Sequence, residues 1–344
     1  MAKKYKVGIF GASGIVGGEL IRLIHGHPFF TLQFVHSKTH AGSKVFEVHP
    51  YLKQLCDLSF VGEHPQHVSK DVDVIFVALH HQGAAAVISE MGEYSGIMID
   101  LSGAHRLKDT DLYPTVYGFE HPAPTQVSKF VYGLCELEKS GIAAAKRISN
   151  PGCFATASIL AAAPLVKENI IQESIFVSAI TGSSGAGLSM SPVTHHPFRD
   201  GNVVGYKIFS HQHEPEIAQS LQCLSDTSPP VILTTHSGPF VRGIHATLQA
   251  TLKEPVSREK LCSIFQSFYK EAPFVRIRNE PPHLKAVIGS NFCDLFLACR
   301  NQDVIVLSVL DNLVKGAAGQ AIQNLNIALG MKEEEGLWAI PIYP

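Results

Sequence analysis

The residue best placed for covalent chemistry is Cys153, in the run Asn150-Pro151-Gly152-Cys153. A Pro-Gly turn signal delivers it to the start of an apolar, helix-like stretch. A thiol at a helix N-terminus meets the helix dipole and unpaired N–H groups, which stabilise the thiolate and lower its pKa. A thiolate attacks activated acyl groups, and the thioester it forms stays reactive enough to accept hydride. The other six cysteines lie in strand or helix patterns among apolar neighbours, the setting of small buried hydrophobes.

A second site is written in Gly11-Ala12-Ser13-Gly14-Ile15-Val16-Gly17, between the first strand signal and the first helix signal. Glycines let the backbone turn sharply and approach a pyrophosphate, and the helix N-terminus supplies N–H groups. A tight turn with no ligand is the alternative, and the strand–helix–strand texture around it favours a dinucleotide. The next strand runs out into His36-Ser37-Lys38-Thr39, without the acid that grips the ribose of NAD. Hydroxyls at Ser37 and the cation of Lys38 suit the 2′-phosphate of NADP; a solvated Lys38 is the competing reading. A further glycine-serine turn, Thr181–Gly187 with Ser184 and Gly185 at its centre, could hold a nicotinamide or a developing oxyanion, or merely connect.

Histidine is abundant, 18 in all, and clustered at His80-His81, His195-His196 and His211-Gln212-His213. A His-x-His pair suits zinc or acid/base work. No His-Glu-x-x-His run accompanies it, so no metal is expected; a zinc hydrolase built on His211 and His213 would need bound metal, and elemental analysis would settle it.

These groups need elements to position them. Strand signals at Tyr5–Phe10, Leu32–His36, Val72–Leu79 and Ile97–Leu101 alternate with helix signals at Ile15–His25 and Ala84–Met91. That alternation predicts a doubly wound parallel sheet of Rossmann type. Beyond about position 150 the texture becomes α+β, with a mixed or antiparallel sheet. A helix over Cys153–Leu165 precedes strands at Ile175–Ile180, Val231–Thr235, Ala246–Leu252, Asn291–Ala298 and Val304–Leu310. A helix at Arg258–Glu271 sits among them, and a last helix over Asn312–Leu329 is expected to take Asn312 as its N-cap.

The 344 residues suffice for two domains, and a net charge of −2 offers no field for nucleic acid or an anionic membrane. Met1-Ala2-Lys3-Lys4-Tyr5 lacks the features of a signal peptide, and no run approaches the roughly 18 apolar residues of a membrane span. Seven cysteines without pairing-like spacing and without a Cys-x-x-Cys argue against disulfides and a zinc knuckle. A cytoplasmic protein with reduced thiols, small-molecule partners and copies of itself is expected.

Taken together, the chain resembles the N-acetyl-γ-glutamyl-phosphate reductases, semialdehyde dehydrogenase family members of arginine biosynthesis. The resemblance runs through Gly11–Gly17, Asp100-Leu101-Ser102, Asn150–Cys153, Gly182–Gly187, His211–Ile217, Arg242-Gly243 and Asp311–Gly316. It implies that Cys153 displaces phosphate from an acyl phosphate, that NADPH reduces the thioester, and that His211 is the acid/base residue with His213 beside it. It further implies that Arg106 holds substrate phosphate, that Lys207 and Arg242 contact anions, that Asn150 belongs to the substrate site, and that Asn312 returns the last helix to the nicotinamide. Residues 1–150 with 312–344 are expected to form an NADP-binding domain, and 151–311 a catalytic and dimerisation domain of a homodimer or homotetramer. The chain departs from the family pattern at Gly103-Ala104-His105, His80-His81-Gln82, Phe154 and Gln212. Rival readings are an aspartate-semialdehyde dehydrogenase, a carrier-linked glutamyl-phosphate reductase, and a non-catalytic NADP-binding redox sensor.

Overall fold

Apolar runs too short for helices, punctuated by glycine turns, build the first of two sheets in the computed structural model, which describes residues 4–191, 194–225 and 227–343. Met1-Ala2-Lys3 lies outside them. The chain divides into two compact units, one reaching to Pro151 and including Ala317–Trp338, the other made of Gly152–Gly316 with the residues from Ala339 onward.

In the first unit, β1 (Tyr5–Phe10), β2 (Phe30–His36), β3 (Phe60–Val61), β4 (Val74–Val77), β5 (Ile97–Asp100), β6 (Val131–Tyr132) and β7 (Arg147–Ser149) form one sheet. Its order is β3-β2-β1-β4-β5-β7-β6, and every pairing is parallel. All four residues of β4 and the last four of β1 are buried, as a parallel sheet covered on both faces requires. The order reverses between β1 and β4, whose register sets Val7 against Val74 and Phe10 against Val77. Doubly wound sheets bind ligands at such a switch point, and the Gly11 turn leaves β1 there. Helices Ile15–Gly26, His81–Met91, Cys135–Ala144 and Gly319–Ala328 complete the unit. The predicted Rossmann-type architecture is present, although the His81–Met91 helix starts earlier than the expected Ala84 and β4 is shorter than expected.

The second unit holds β8 (Ile175–Thr181), β9 (Val204–Tyr206), β10 (Val231–Ser237), β11 (Ile244–Thr251), β12 (Val275–Arg278), β13 (Cys293–Arg300) and β14 (Asp303–Leu310). Their order is β12-β13-β14-β11-β8-β10-β9, parallel at β8–β10 and β12–β13 and antiparallel elsewhere, the mixed sheet anticipated. Burial alternates along β8 and β11, so one face is packed and the other is open. The packed face carries the helix Cys153–Lys167, in which every residue from Phe154 to Val166 is buried. Cys153, at its first position, is half-buried.

Two expectations need correction. Asn312 does not cap the last helix: Val314–Ala318 is a turn of π-helix ahead of the α-helix Gly319–Ala328. Asp311 accepts the N–H groups of Leu313 and Val314 at 2.8 and 3.2 Å, while the Asn312 amide is engaged elsewhere. Cys223, expected among apolar neighbours, is exposed at the end of the helix His213–Gln222.

Candidate active site

Cys153 owes its position to two glycine-sized approaches and one carboxylate. Gly152, in extended conformation, is the N-cap, and no side chain caps this helix end. Its own N–H is held by Glu216 Oε1 at 2.7 Å, and Glu216 is fully buried in the first turn of the helix His213–Gln222. The His213 ring occupies the space a Cβ on Gly152 would need. A Cβ on Gly316 would lie 2.8 Å from Cys153 Cβ, so the π-helical turn backs directly onto the thiol-bearing carbon. The helix start therefore presents its N–H groups and its dipole to Cys153.

Cys153 shares a cleft of about 320 Å3 with Tyr206, Lys207, His211, Gln212 and His213. The backbone N–H of His213 donates to His211 Nδ1 at 3.1 Å, which assigns the proton of the neutral ring to Nε2. Burial, reinforced by the charge of Lys207, pushes the His211 imidazole down to about 4, so it is neutral at physiological pH. His211 meets Phe154 and His213 edge-on, with ring centroids 5.3 and 4.7 Å away. Burial, and then the nearby Cys153 charge, keep the Tyr206 phenol protonated well above its usual range. Lys207 is exposed by area, yet enough protein surrounds its ammonium to push its pKa down. Its Nζ donates to Gln212 Oε1 at 2.8 Å.

Ser184 and Gly185 sit in the 3₁₀ turn Ser183–Ala186 that follows β8, and Gly185 also lines the cleft. Asn312 stitches this turn in place: Nδ2 donates to Ser184 Oγ at 3.0 Å, and Oδ1 accepts the Gly243 N–H at 2.7 Å. Arg242 lies 3.7 Å from the buried Asp311 carboxylate. Cys153, Ser184, Gly185, Lys207, His211, His213, Arg242 and Asn312 thus all belong to the second unit.

The remaining predicted residues lie in the first unit. Gly11 takes a positive φ of 78°, and a Cβ on Gly17 would sit 2.5 Å from Gly11 O, so the Gly11–Gly17 turn needs glycine at both ends. Gly14 caps the helix Ile15–Gly26 without a side-chain hydrogen bond, leaving first-turn N–H groups for an anion. Ser13 Oγ lies 2.9 Å from Ser37 Oγ, and Lys38 beside it is exposed. This turn therefore fits a dinucleotide phosphate, with hydroxyls and a cation near the end of β2. Arg106 is nearly buried, donating from Nε to Asn150 O and from Nη2 to Leu101 O at 2.8 Å each. Asn150 is buried too, its Nδ2 on Ala317 O and its Oδ1 accepting from Asn324. His105, one of the departures from the family pattern, places Nδ1 2.7 Å from Asp100 Oδ2 and stacks on Phe130.

Glu216, Gly316 and Tyr206 received no role from the sequence. Glu216 and Gly316 stood inside motifs already noted, but what they touch is distant in the chain. Tyr206 left no signal beyond its place ahead of the histidine pair. Among the described residues, no group of three or more His, Cys, Asp or Glu side chains could hold a metal ion. No helix there is long and apolar enough to cross a membrane.

Comparison with known proteins matches residues 6–145 to the semialdehyde dehydrogenase NAD binding domain and residues 153–312 to the semialdehyde dehydrogenase dimerisation domain. The chain is 42% identical to the N-acetyl-gamma-glutamyl-phosphate reductase of Dehalococcoides mccartyi, over 99% of this chain and 100% of that one. It is 42% identical to the enzyme of that name from Methanosarcina acetivorans, covering 97% and 98% of the two chains, and 41% identical to that of Methanocaldococcus jannaschii, covering 98% and 99%. Among solved structures, an aspartate semialdehyde dehydrogenase from Vibrio cholerae superposes with a TM-score of 0.71 at 15% identity, over 96% and 99% of the chains. One from Candida albicans, determined with NADP, gives 0.66 at 17%, over 94% and 98%. At these identities the structures show likeness of fold.

Proposed function

The chain belongs to the N-acetyl-γ-glutamyl-phosphate reductases of the semialdehyde dehydrogenase family, and on that premise we propose how its residues carry the reaction. The enzyme reduces N-acetyl-γ-glutamyl phosphate to N-acetylglutamate 5-semialdehyde with NADPH, in arginine biosynthesis, through a thioester on Cys153. The observation that carries the mechanism is Cys153 at the first position of a buried helix, in one cleft with a neutral His211.

Cys153 Sγ attacks the γ-acyl carbon; the carbon–oxygen bond to phosphate breaks, and phosphate leaves with the electron pair. Lys207 and Arg242 offset the charge of the phosphate or the α-carboxylate, with Arg106 as a further phosphate contact. The N–H groups of Ser183, Ser184 and Gly185 are taken by Phe240 O, Val241 O and Gly182 O, so the turn is no oxyanion hole and His211 Nε2–H is the donor that meets the carbonyl oxygen as it gains charge. The residues that would hold NADPH are the Gly11–Val16 turn, Ser37, Lys38, Ser184, Gly185 and Asn312, and the cofactor when bound would supply the hydride that reduces the thioester. His211 then handles the proton of the thiohemiacetal oxygen as this intermediate collapses to aldehyde and releases the Cys153 thiolate. His213 packs against Gly152 and keeps the thiol in line, and Asn150 shapes the turn that leads to it. The expected boundary near 312 moves to Ala317, and the last residues from Ala339 join the second unit: residues 1–151 with 317–338 serve the cofactor, and 152–316 with 339–344 serve catalysis and dimerisation. A family match to a dimerisation domain supports self-association, and we assign a cytoplasmic homodimer or homotetramer.

The test is the reverse reaction: N-acetylglutamate semialdehyde, phosphate and NADP⁺, with NADPH followed by absorbance. Aspartate semialdehyde and NAD⁺ serve as parallel alternatives. Phosphate-dependent NADPH formation with the acetylated aldehyde is the expected result, and turnover confined to aspartate semialdehyde would overturn the substrate.

A further inference from the structure

Gln212 lies between the two histidines of the cleft but belongs to neither. It is the N-cap residue of the helix His213–Gln222, yet its side chain makes no capping bond. Instead its Oε1 accepts from Lys207 Nζ at 2.8 Å, and both residues line the Cys153 cleft. Lys207 is held there by its backbone as well, at a positive φ of 49° that a long side chain seldom adopts. Backbone strain of this kind persists where the surroundings over-determine it. The partner is also informative. A carboxylate at 212 would cancel the ammonium charge; an amide oxygen fixes its direction and leaves the charge intact. Lys207 is thus a directed cation at the cleft, and the same charge helps keep His211 unprotonated.

We propose that Gln212 is a positioning residue for the reaction, holding the Lys207 ammonium where it receives the phosphate oxygens that leave, or in reverse attack, the acyl carbon at Cys153. The inference rests on the acyl-phosphate reading above, and its predictions concern phosphate more than the aldehyde. Removing the amide acceptor leaves the ammonium to wander over several rotamers. Replacing it with a carboxylate keeps the hydrogen bond but neutralises the cation. A merely structural tie between residues 207 and 212 would survive the second change; a cation held for phosphate would not.

The experiment is steady-state kinetics of the reverse reaction for wild type, Gln212→Met, Gln212→Glu, Lys207→Met and the double variant Lys207→Met/Gln212→Met. Phosphate KM is expected to rise about three- to tenfold in Gln212→Met, the size of a partly exposed charge-assisted contact. It rises at least as far in Gln212→Glu, while kcat and the KM for NADP⁺ stay within about twofold. In the Lys207→Met background, Gln212→Met adds nothing further, because Gln212 acts through Lys207. A phosphate KM unchanged in both single variants at 212 overturns the proposal. So does a Gln212→Met effect that persists undiminished without Lys207. If the wild type itself shows no phosphate-dependent turnover, the acyl-phosphate reading fails, a result distinct from either of these.

Discussion

Substituting Gly316 by alanine adds one methyl group at the most confined point of the site. That Cβ would lie 2.8 Å from Cys153 Cβ and 3.3 Å from both Cys153 Cα and Asp311 O. Carbon atoms in contact settle at roughly 3.5–4.0 Å, so about 1 Å must open between them. Neither side gives easily. Cys153 begins a helix buried along nearly its whole length, and Gly316 N–H donates to Asp311 O at 2.9 Å. Asp311 is itself locked by the N–H groups of Gly289, Leu313 and Val314. Overpacking of this kind costs about 1–3 kcal/mol of stability. A misplacement of about 1 Å at a reacting atom lowers turnover about 10²-fold. Gly316→Ala should therefore lower kcat of the reverse reaction by about two orders of magnitude, with Tm down by a few degrees and NADP⁺ binding retained. Iodoacetamide alkylation of Cys153 should slow in parallel. A kcat within threefold of wild type, in a variant that folds normally, would refute the idea that Gly316 fixes the thiol.

Cys153→Ala should abolish turnover while NADPH titration still shows binding; residual turnover at the wild-type rate would remove the thiol from the mechanism. His211→Asn should lower kcat about 10²–10⁴-fold, and if His213→Asn is the more damaging change, the roles within the pair are reversed. Lys38→Glu should weaken NADPH binding and shift preference toward NADH; an unchanged NADPH:NADH ratio would take Lys38 out of the site. Acid lability should trace in part to His27, buried against Phe30 and Asn326 with its pKa lowered by burial to about 4. Because the folded pKa lies below the unfolded 6.5, the ring's full contribution is present above pH 6.5 and is lost as pH falls toward 4. The loss at pH 4.5 is about 2–3 kcal/mol, visible as a lower urea midpoint. In His27→Gln the fall between pH 7 and 4.5 should be shallower, and an identical fall in both proteins would contradict the assignment.

How much of this was legible in the sequence follows from how local each feature is. The Gly11–Val16 turn and Cys153 at a helix start are determined by neighbours in the chain, and the glycine pattern and Pro-Gly signal exposed them. Strands such as β6 and β7 escaped because two or three residues cannot display an alternation. Asn312 was misread because two adjacent residues, Asp311 and Asn312, both suit an N-cap. Asp311 took the backbone N–H groups, and Ser184 and Gly243, far away in sequence, engaged Asn312. Glu216 and Gly316 matter through what they touch across the fold, Gly152 and Cys153, and no local pattern records such contacts. The Lys207–Gln212 bond joins residues five apart, but only a backbone with positive φ at Lys207 shows it.

The central claim is the covalent thioester on Cys153, and a phosphate-free single turnover tests it most directly. Enzyme mixed with N-acetylglutamate semialdehyde and NADP⁺ lacks the nucleophile that would release the acyl group. The account predicts a burst of one NADPH per active site, followed by near silence until phosphate is added. Intact-mass and peptide analysis should find the N-acetylglutamyl group on Cys153. Full burst-free turnover without phosphate, or acylation at any other residue, would contradict it.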